Sequence, residues 1–195
     1  MRSRHWISCS RLAGVVLSIS IAVAQSGQPG RKPDVPYVPT TDEAVQTMLK
    51  LAEVKKSDVV YDLGCGDGRI VIAAAVTYGA RGVGIDIDPE RIREAKENAK
   101  KAHVEELVRF EEKDLFQADF HEATVVALFL LPSINLRLRP KLIQELKPGT
   151  RIVSNTFDMG DWKPDKEQTL GETDDYDAYL SRRFYLWHVP QSNGK

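Results

Sequence analysis

A run of eight residues, Asp62-Leu63-Gly64-Cys65-Gly66-Asp67-Gly68-Arg69, has the types and spacing to hold a ligand. Glycines at alternate positions let the backbone turn sharply and approach a bound molecule without obstruction by Cβ. The dinucleotide fingerprint is G-x-G-x-x-G, in which exposed amides and a helix dipole receive a pyrophosphate. Here the spacing is G-x-G-x-G, with Asp62 before it and Asp67 inside it. Two carboxylates would repel a pyrophosphate and suit a ligand carrying ammonium and sulfonium groups. No Gly-Lys-Ser/Thr follows, which excludes a P-loop. Asp86, 20 residues beyond Gly66, is placed to accept from both hydroxyls of a ribose. Asp114 follows a further β-rich stretch, where the exocyclic amine of an adenine would lie.

These groups need a frame that brings them to one edge. Residues 59–63 form a short β-rich run that leads straight into the glycines. A helix over 70–76 ends at Tyr78-Gly79, and residues 82–86 form a second buried strand. Asp88-Pro89 then caps a helix over 90–102. Strands follow at 108–112, 124–130 and 150–156, with a helix at 136–146 between the last two. Upstream, Thr40 with Glu43 reads as a capping box before an apolar helical stripe. An aromatic-rich stretch at 179–189 closes the pattern. Alternation at this spacing predicts an α/β fold: a doubly wound, mostly parallel seven-stranded sheet ending in an antiparallel C-terminal hairpin.

The set Asp62, Gly64, Gly66, Asp67, Gly68, Asp86 and Asp114 resembles the class I, seven-β-strand methyltransferases that use S-adenosylmethionine. The resemblance spans about residues 40–189. It implies that Asp62 and residues 64–68, Cys65 included, hold the methionine part, with Asp86 on the ribose and Asp114 at the adenine. Upstream, Val35-Pro36-Tyr37-Val38-Pro39-Thr40 is similar to the segment before the core in small prokaryotic relatives of the mitochondrial protein-lysine methyltransferases. A more distant likeness is to histone-lysine methyltransferases that lack a SET domain. In such families this segment closes over the cofactor, with Tyr37 as an aromatic wall and Thr40 as a hydroxyl.

The resemblance implies a protein lysine as methyl acceptor. Enzymes that methylate nucleobase amines commonly carry Asn/Asp-Pro-Pro-aromatic after the fourth strand, whereas this chain has Leu130-Leu131-Pro132-Ser133. Tyr37 and Asn155, with Phe157 and Trp162, are the expected lining of an acceptor slot. Two other readings stay open: a small-molecule O- or N-methyltransferase, and a non-catalytic module that binds the cofactor or a nucleotide.

Lys and Arg number 27 against 28 Asp and Glu, a net charge of −1 that supplies no positive field for phosphate-dominated binding, so no nucleic-acid partner is expected. Arg137, Arg139 and Lys141 read as a solvated helix face. Cys9 and Cys65 give no disulfide framework, and neither they nor His5, His103, His121 and His188 show metal-ligand spacing. The domain organisation read here is a leader over 1–24, a Pro- and Gly-containing linker over 25–36, a methyltransferase domain over 37–189 and a tail over 190–195, acting as a monomer. In the leader, arginines precede an apolar run that ends Ala22-Val23-Ala24, the pattern of a secretory signal peptide or anchor. Export or membrane association follows from the leader, whereas supply of the methyl donor points to the cytosol; the compartment stays open between the two.

Overall fold

The computed structural model describes residues 37–171 and 182–191. The leader, the linker and Tyr179 lie outside the described residues. Eleven elements follow one another: α1 (Asp42–Leu51), β1 (Val59–Leu63), α2 (Arg69–Tyr78), β2 (Arg81–Asp86), α3 (Pro89–Lys101), β3 (Val108–Glu112), β4 (Val125–Leu128), α4 (Pro132–Glu145), β5 (Arg151–Asn155), β6 (Lys166–Thr169) and β7 (Arg183–His188). The strands form one seven-stranded sheet in the order β3-β2-β1-β4-β5-β7-β6. The first five run parallel, and β7 enters antiparallel between β5 and β6.

The core lies on both faces of the sheet. One face packs Val60, Ala127, Val153 and Phe184 against apolar residues of α1, α2 and α3. The other packs Leu63, Ile85, Leu128 and Trp187 against Leu138 and Leu142 of α4. Every residue of β1 and β4 is buried, as expected for central strands covered on both sides. Close approach of layers also explains a small residue within β2: a Cβ on Gly84 would stand 2.6 Å from the Phe110 ring.

Several boundaries differ from expectation. The cap of α1 is Thr41, whose hydroxyl accepts from the Ala44 amide, and Thr40 precedes it as a buried strap residue. β4 stops at Leu128, which releases residues 129–131 from the ladder. α4 starts at Pro132, where the missing amide proton costs nothing. β6 is the hairpin partner whose position the sequence did not mark: Lys-Glu-Gln-Thr is exposed and polar throughout, and only pairing with β7 makes it a strand. The basic stretch of α4 is solvated at Arg137 and only partly so at Arg139 and Lys141. Arg137 stacks over Phe116, Arg139 binds the Met159 carbonyl and Asp161, and Lys141 pairs with Glu145.

A buried ion pair ties together the N-terminal ends of the central strands. Asp58 accepts from the Thr124 hydroxyl (2.7 Å) and the Lys55 amide (2.7 Å), and pairs with Arg151. Arg151 also donates to the Ala52 and Glu53 carbonyls, so α1, β1, β4 and β5 meet at one guanidinium. Removing one partner strands the other charge. Asp58→Ala is expected to cost about 3–5 kcal/mol in urea denaturation, and Asp58→Asn less, because its one oxygen still accepts from Thr124 and Arg151 while the Lys55 amide loses its acceptor.

Candidate active site

At the opposite, carboxyl ends of the strands the β1–α2 turn is built on left-handed glycines, with φ of +84° at Gly64, +52° at Gly66 and +80° at Gly68. The Gly64 and Cys65 amides both donate to the Ile85 carbonyl (2.8 and 3.0 Å), which seats the turn on β2. Asp86, the last residue of β2, accepts from the Gly66 amide at Oδ2 (2.9 Å) and from the Asp88 amide at Oδ1 (3.0 Å). Each of its oxygens keeps a lone pair for a ligand hydroxyl.

The turn, the ends of β2 and β4 and residues 37–40 enclose a cavity of about 770 Å³, a volume suited to a nucleoside-sized ligand. Of the residues expected at the cofactor, Thr40, Asp62, Gly64, Cys65, Gly66, Asp67, Asp86 and Asp114 line it. Gly68 does not; it sits behind the turn, where a Cβ would stand 2.6 Å from Phe110. Asp114 accepts from the Phe116 amide (2.9 Å), which fixes the loop after β3. Asp67, expected to face a ligand cation, lines the cavity and is also held by Arg69 through Nε (2.9 Å) and a second guanidinium nitrogen (2.6 Å). Burial pushes the Asp67 carboxyl up, but hydrogen bonds and charge from Arg69 outweigh it and hold the group below its usual value.

Asp62 is 3% exposed and receives no such help. Burial, with the negative charges of Asp86 and Asp67 beside it, pushes its carboxyl from 3.8 up to about 8. A carboxylic acid that is buried, faces the cavity and has only like charges around it is suited to receive a cationic ligand group.

The far side of the cavity is apolar. Residues 129–131, released from β4, bring Phe129, Leu130 and Leu131 to the wall, and Ile134 and Phe157 complete it. The Phe129 and Phe157 rings stack 6.4 Å apart. Thr156 stands at φ +67°, unusual for a β-branched residue, and turns the chain so that Phe157 follows β5 into the cavity. The Phe157 carbonyl is held by the Ser154 hydroxyl (2.6 Å) and the Asn135 amide (3.3 Å).

Tyr37 and Phe157 both line the cavity, and two other expected acceptor residues do not. Asn155 is fully buried outside the cavity lining, and its side-chain oxygen accepts from the Thr156 hydroxyl (3.0 Å). It supports the turn rather than the slot. Trp162 packs on Trp187, 6.0 Å away, where it finishes the core under the end of the sheet. Arg69, Arg91, Phe116 and Phe129 line the cavity without having been expected there. Only the D-x-G-x-G-D-G-R run marked Arg69, and nothing in the sequence marked the other three. Tertiary structure also brings Asp119, His121 and Glu145 together, with ligand atoms within 4.8 Å of one another. Their spacing gave no sign of this, and the Lys141 ammonium already sits 2.5 Å from Glu145.

The family model of the ANTKMT methyltransferase domain matches residues 62–166. A protein-lysine N-methyltransferase of Saccharolobus islandicus is 50% identical over 158 residues, covering 80% of this chain and 95% of that protein. The chain belongs to the ANTKMT methyltransferase family. An adenine nucleotide translocase lysine N-methyltransferase of Mus musculus is 34% identical over 78% of this chain and 68% of its own length. Among solved structures, an RNA methyltransferase from Salinibacter ruber in complex with S-adenosyl-L-homocysteine is 52% identical, with a TM-score of 0.73 over 81% of this chain and 97% of that one. The protein is a class I methyltransferase whose donor is S-adenosylmethionine. The cavity fits that donor, with glycine amides and carboxylates at one end and an apolar wall at the other.

The raised Asp62 group makes a pH test. A cation entering beside it favours the ionised form, so binding below pH 8 must release a proton. Affinity for S-adenosylhomocysteine is expected to climb with pH by up to about tenfold per unit until near 8, then level. In the ligand-free protein the sign reverses. The folded state keeps a proton that the unfolded chain loses, so stability falls as pH rises from about 4 toward 8. Calorimetry in buffers of different ionisation enthalpy checks the first, thermal denaturation the second, and Asp62→Asn should flatten both.

Proposed function

We propose that this methyltransferase transfers the methyl group to a lysine side chain of a protein. The observation that carries the reading is the apolar end of the cavity. An acceptor amine must present a free electron pair, but a lysine ammonium has an ordinary pKa of about 10.4. Phe129, Leu130, Leu131, Ile134 and Phe157 offer the amine no carboxylate to stabilise its charge. Desolvation there lowers its pKa, and the proton leaves to water before the slot closes.

The bound donor supplies an already activated methyl group. The protein's work is then to align donor and acceptor and to exclude water, effects that can lower a barrier by about 7–11 kcal/mol. In this reading Asp62 takes the amino group of the methionine part, Asp86 the ribose hydroxyls and Asp114 the adenine end, while Tyr37 and Thr40 close the cavity. The lysine N-methyltransferases among the relatives support the acceptor class.

The Salinibacter relative carries the name of an RNA methyltransferase, which favours a nucleobase acceptor as the second reading. A nucleobase needs hydrogen-bonding partners at its edge, and Leu130-Leu131-Pro132 supplies no polar side chain. The basic, apolar leader supports a further element of the proposal, that the acceptor is met at a membrane surface.

The test is transfer of labelled methyl from S-adenosylmethionine to a membrane-protein fraction and, separately, to total RNA, with hydrolysis to identify the product. Methyl-lysine is expected, and label confined to RNA would overturn the reading. Asp86→Ala should abolish cofactor binding in calorimetry. Phe157→Ala should lower kcat/KM about tenfold, a loss of about 1.4 kcal/mol in the transition state, with affinity for S-adenosylhomocysteine unchanged.

A further inference from the structure

The segment 37–40 crosses the mouth of the cavity as a strap. Its C-terminal end is fixed, because the next residue, Thr41, caps α1. Its other contacts reach the glycine turn and α3. Arg69 donates to the Thr40 carbonyl through one guanidinium nitrogen (2.6 Å) and grips the Asp67 carboxylate with the remaining edge. Tyr37 lies over Gly66, with its ring edge 2.4 Å from where a Cβ would stand. The Arg91 guanidinium stacks 4.8 Å from its ring. Asp67 is itself braced, since Asn98 of α3 donates to its carbonyl (3.1 Å).

We propose that Asp67 and Arg69 form the latch of this strap and that the latch, rather than any contact of either residue with the cofactor, sets how long the cofactor stays bound. The geometry accounts for both side chains. The Asp67 carboxylate, at the edge of the cavity, has both oxygens engaged by Arg69. The guanidinium spends its two edges on Asp67 and on the strap backbone. Thr40 and Asp67 are 5% and 9% exposed and the Arg69 side chain 32%, so the acceptor ends of these charge-assisted bonds are partly shielded from water. Lysine in place of Arg69 cannot span both partners, because a single ammonium lacks the fork. The proposal makes no assumption about the methyl acceptor.

The full chain carrying Arg69→Gln, Arg69→Lys or Asp67→Asn would be tested by chase of labelled S-adenosylhomocysteine. Each variant is expected to speed dissociation about tenfold or more, with Arg69→Lys intermediate. In the ligand-free protein, chymotryptic cleavage after Tyr37 should accelerate in parallel. 5′-Methylthioadenosine, which lacks the amino-acid part, separates the latch from direct recognition of the cofactor carboxylate by Arg69. A latch speeds the loss of both ligands by similar factors. An effect on S-adenosylhomocysteine alone would overturn the proposal, as would unchanged off-rates in folded variants. Tyr37→Ala supplies the coupling test: on that background Arg69→Gln should add little, whereas a fully additive effect would show that Arg69 does not act through the strap.

Discussion

Where β2 ends, the Asp86 carboxylate takes the Gly66 amide with one oxygen and the Asp88 amide with the other. That pair of hydrogen bonds joins the glycine turn after β1 to the cap of α3, so two parallel strands and two helix starts share one anchor. The turn can sit there only because its glycines adopt left-handed backbone and because the Ile85 carbonyl receives the Gly64 and Cys65 amides. The polar end of the cavity, from buried Asp62 to the ring of Tyr37 above Gly66, is built around this joint.

The two ends of the sheet divide the work. At the N-terminal ends, Asp58 and Arg151 form a closed network whose bonds are made inside the protein. At the carboxyl ends, Asp62 is buried among like charges and Thr156 holds a backbone conformation that a β-branched residue avoids. Local costs of this kind persist where surrounding structure enforces them, and they concentrate where a ligand later compensates.

The cavity is also divided by chemistry. Carboxylates and amides at the turn suit a charged, polyhydroxylated donor, and stacked Phe129 and Phe157 suit an apolar stem carrying an amine. Methyl transfer from a sulfonium needs this juxtaposition more than it needs a general base, because the leaving group is already activated. The absence of a polar side chain after β4 thus becomes a positive feature of the site.

Local patterns in the chain were enough to determine the order of strands and helices, the glycine turn and the acids at 62, 86 and 114, because turn chemistry and apolar periodicity are properties of neighbouring residues. Tertiary structure decided the rest. β6 exists only by pairing with β7, since four exposed polar residues carry no strand signal of their own. Asn155 and Trp162 fell outside the slot because a strand end can point toward a cavity or into the core, and packing on Phe184 and Trp187 chose the core. Spacing put Asp67 at the cavity, and only the fold brought the Thr40 carbonyl, 29 residues before Arg69, to the guanidinium that grips it. Which partner a charged group takes depends on distances that sequence spacing does not encode.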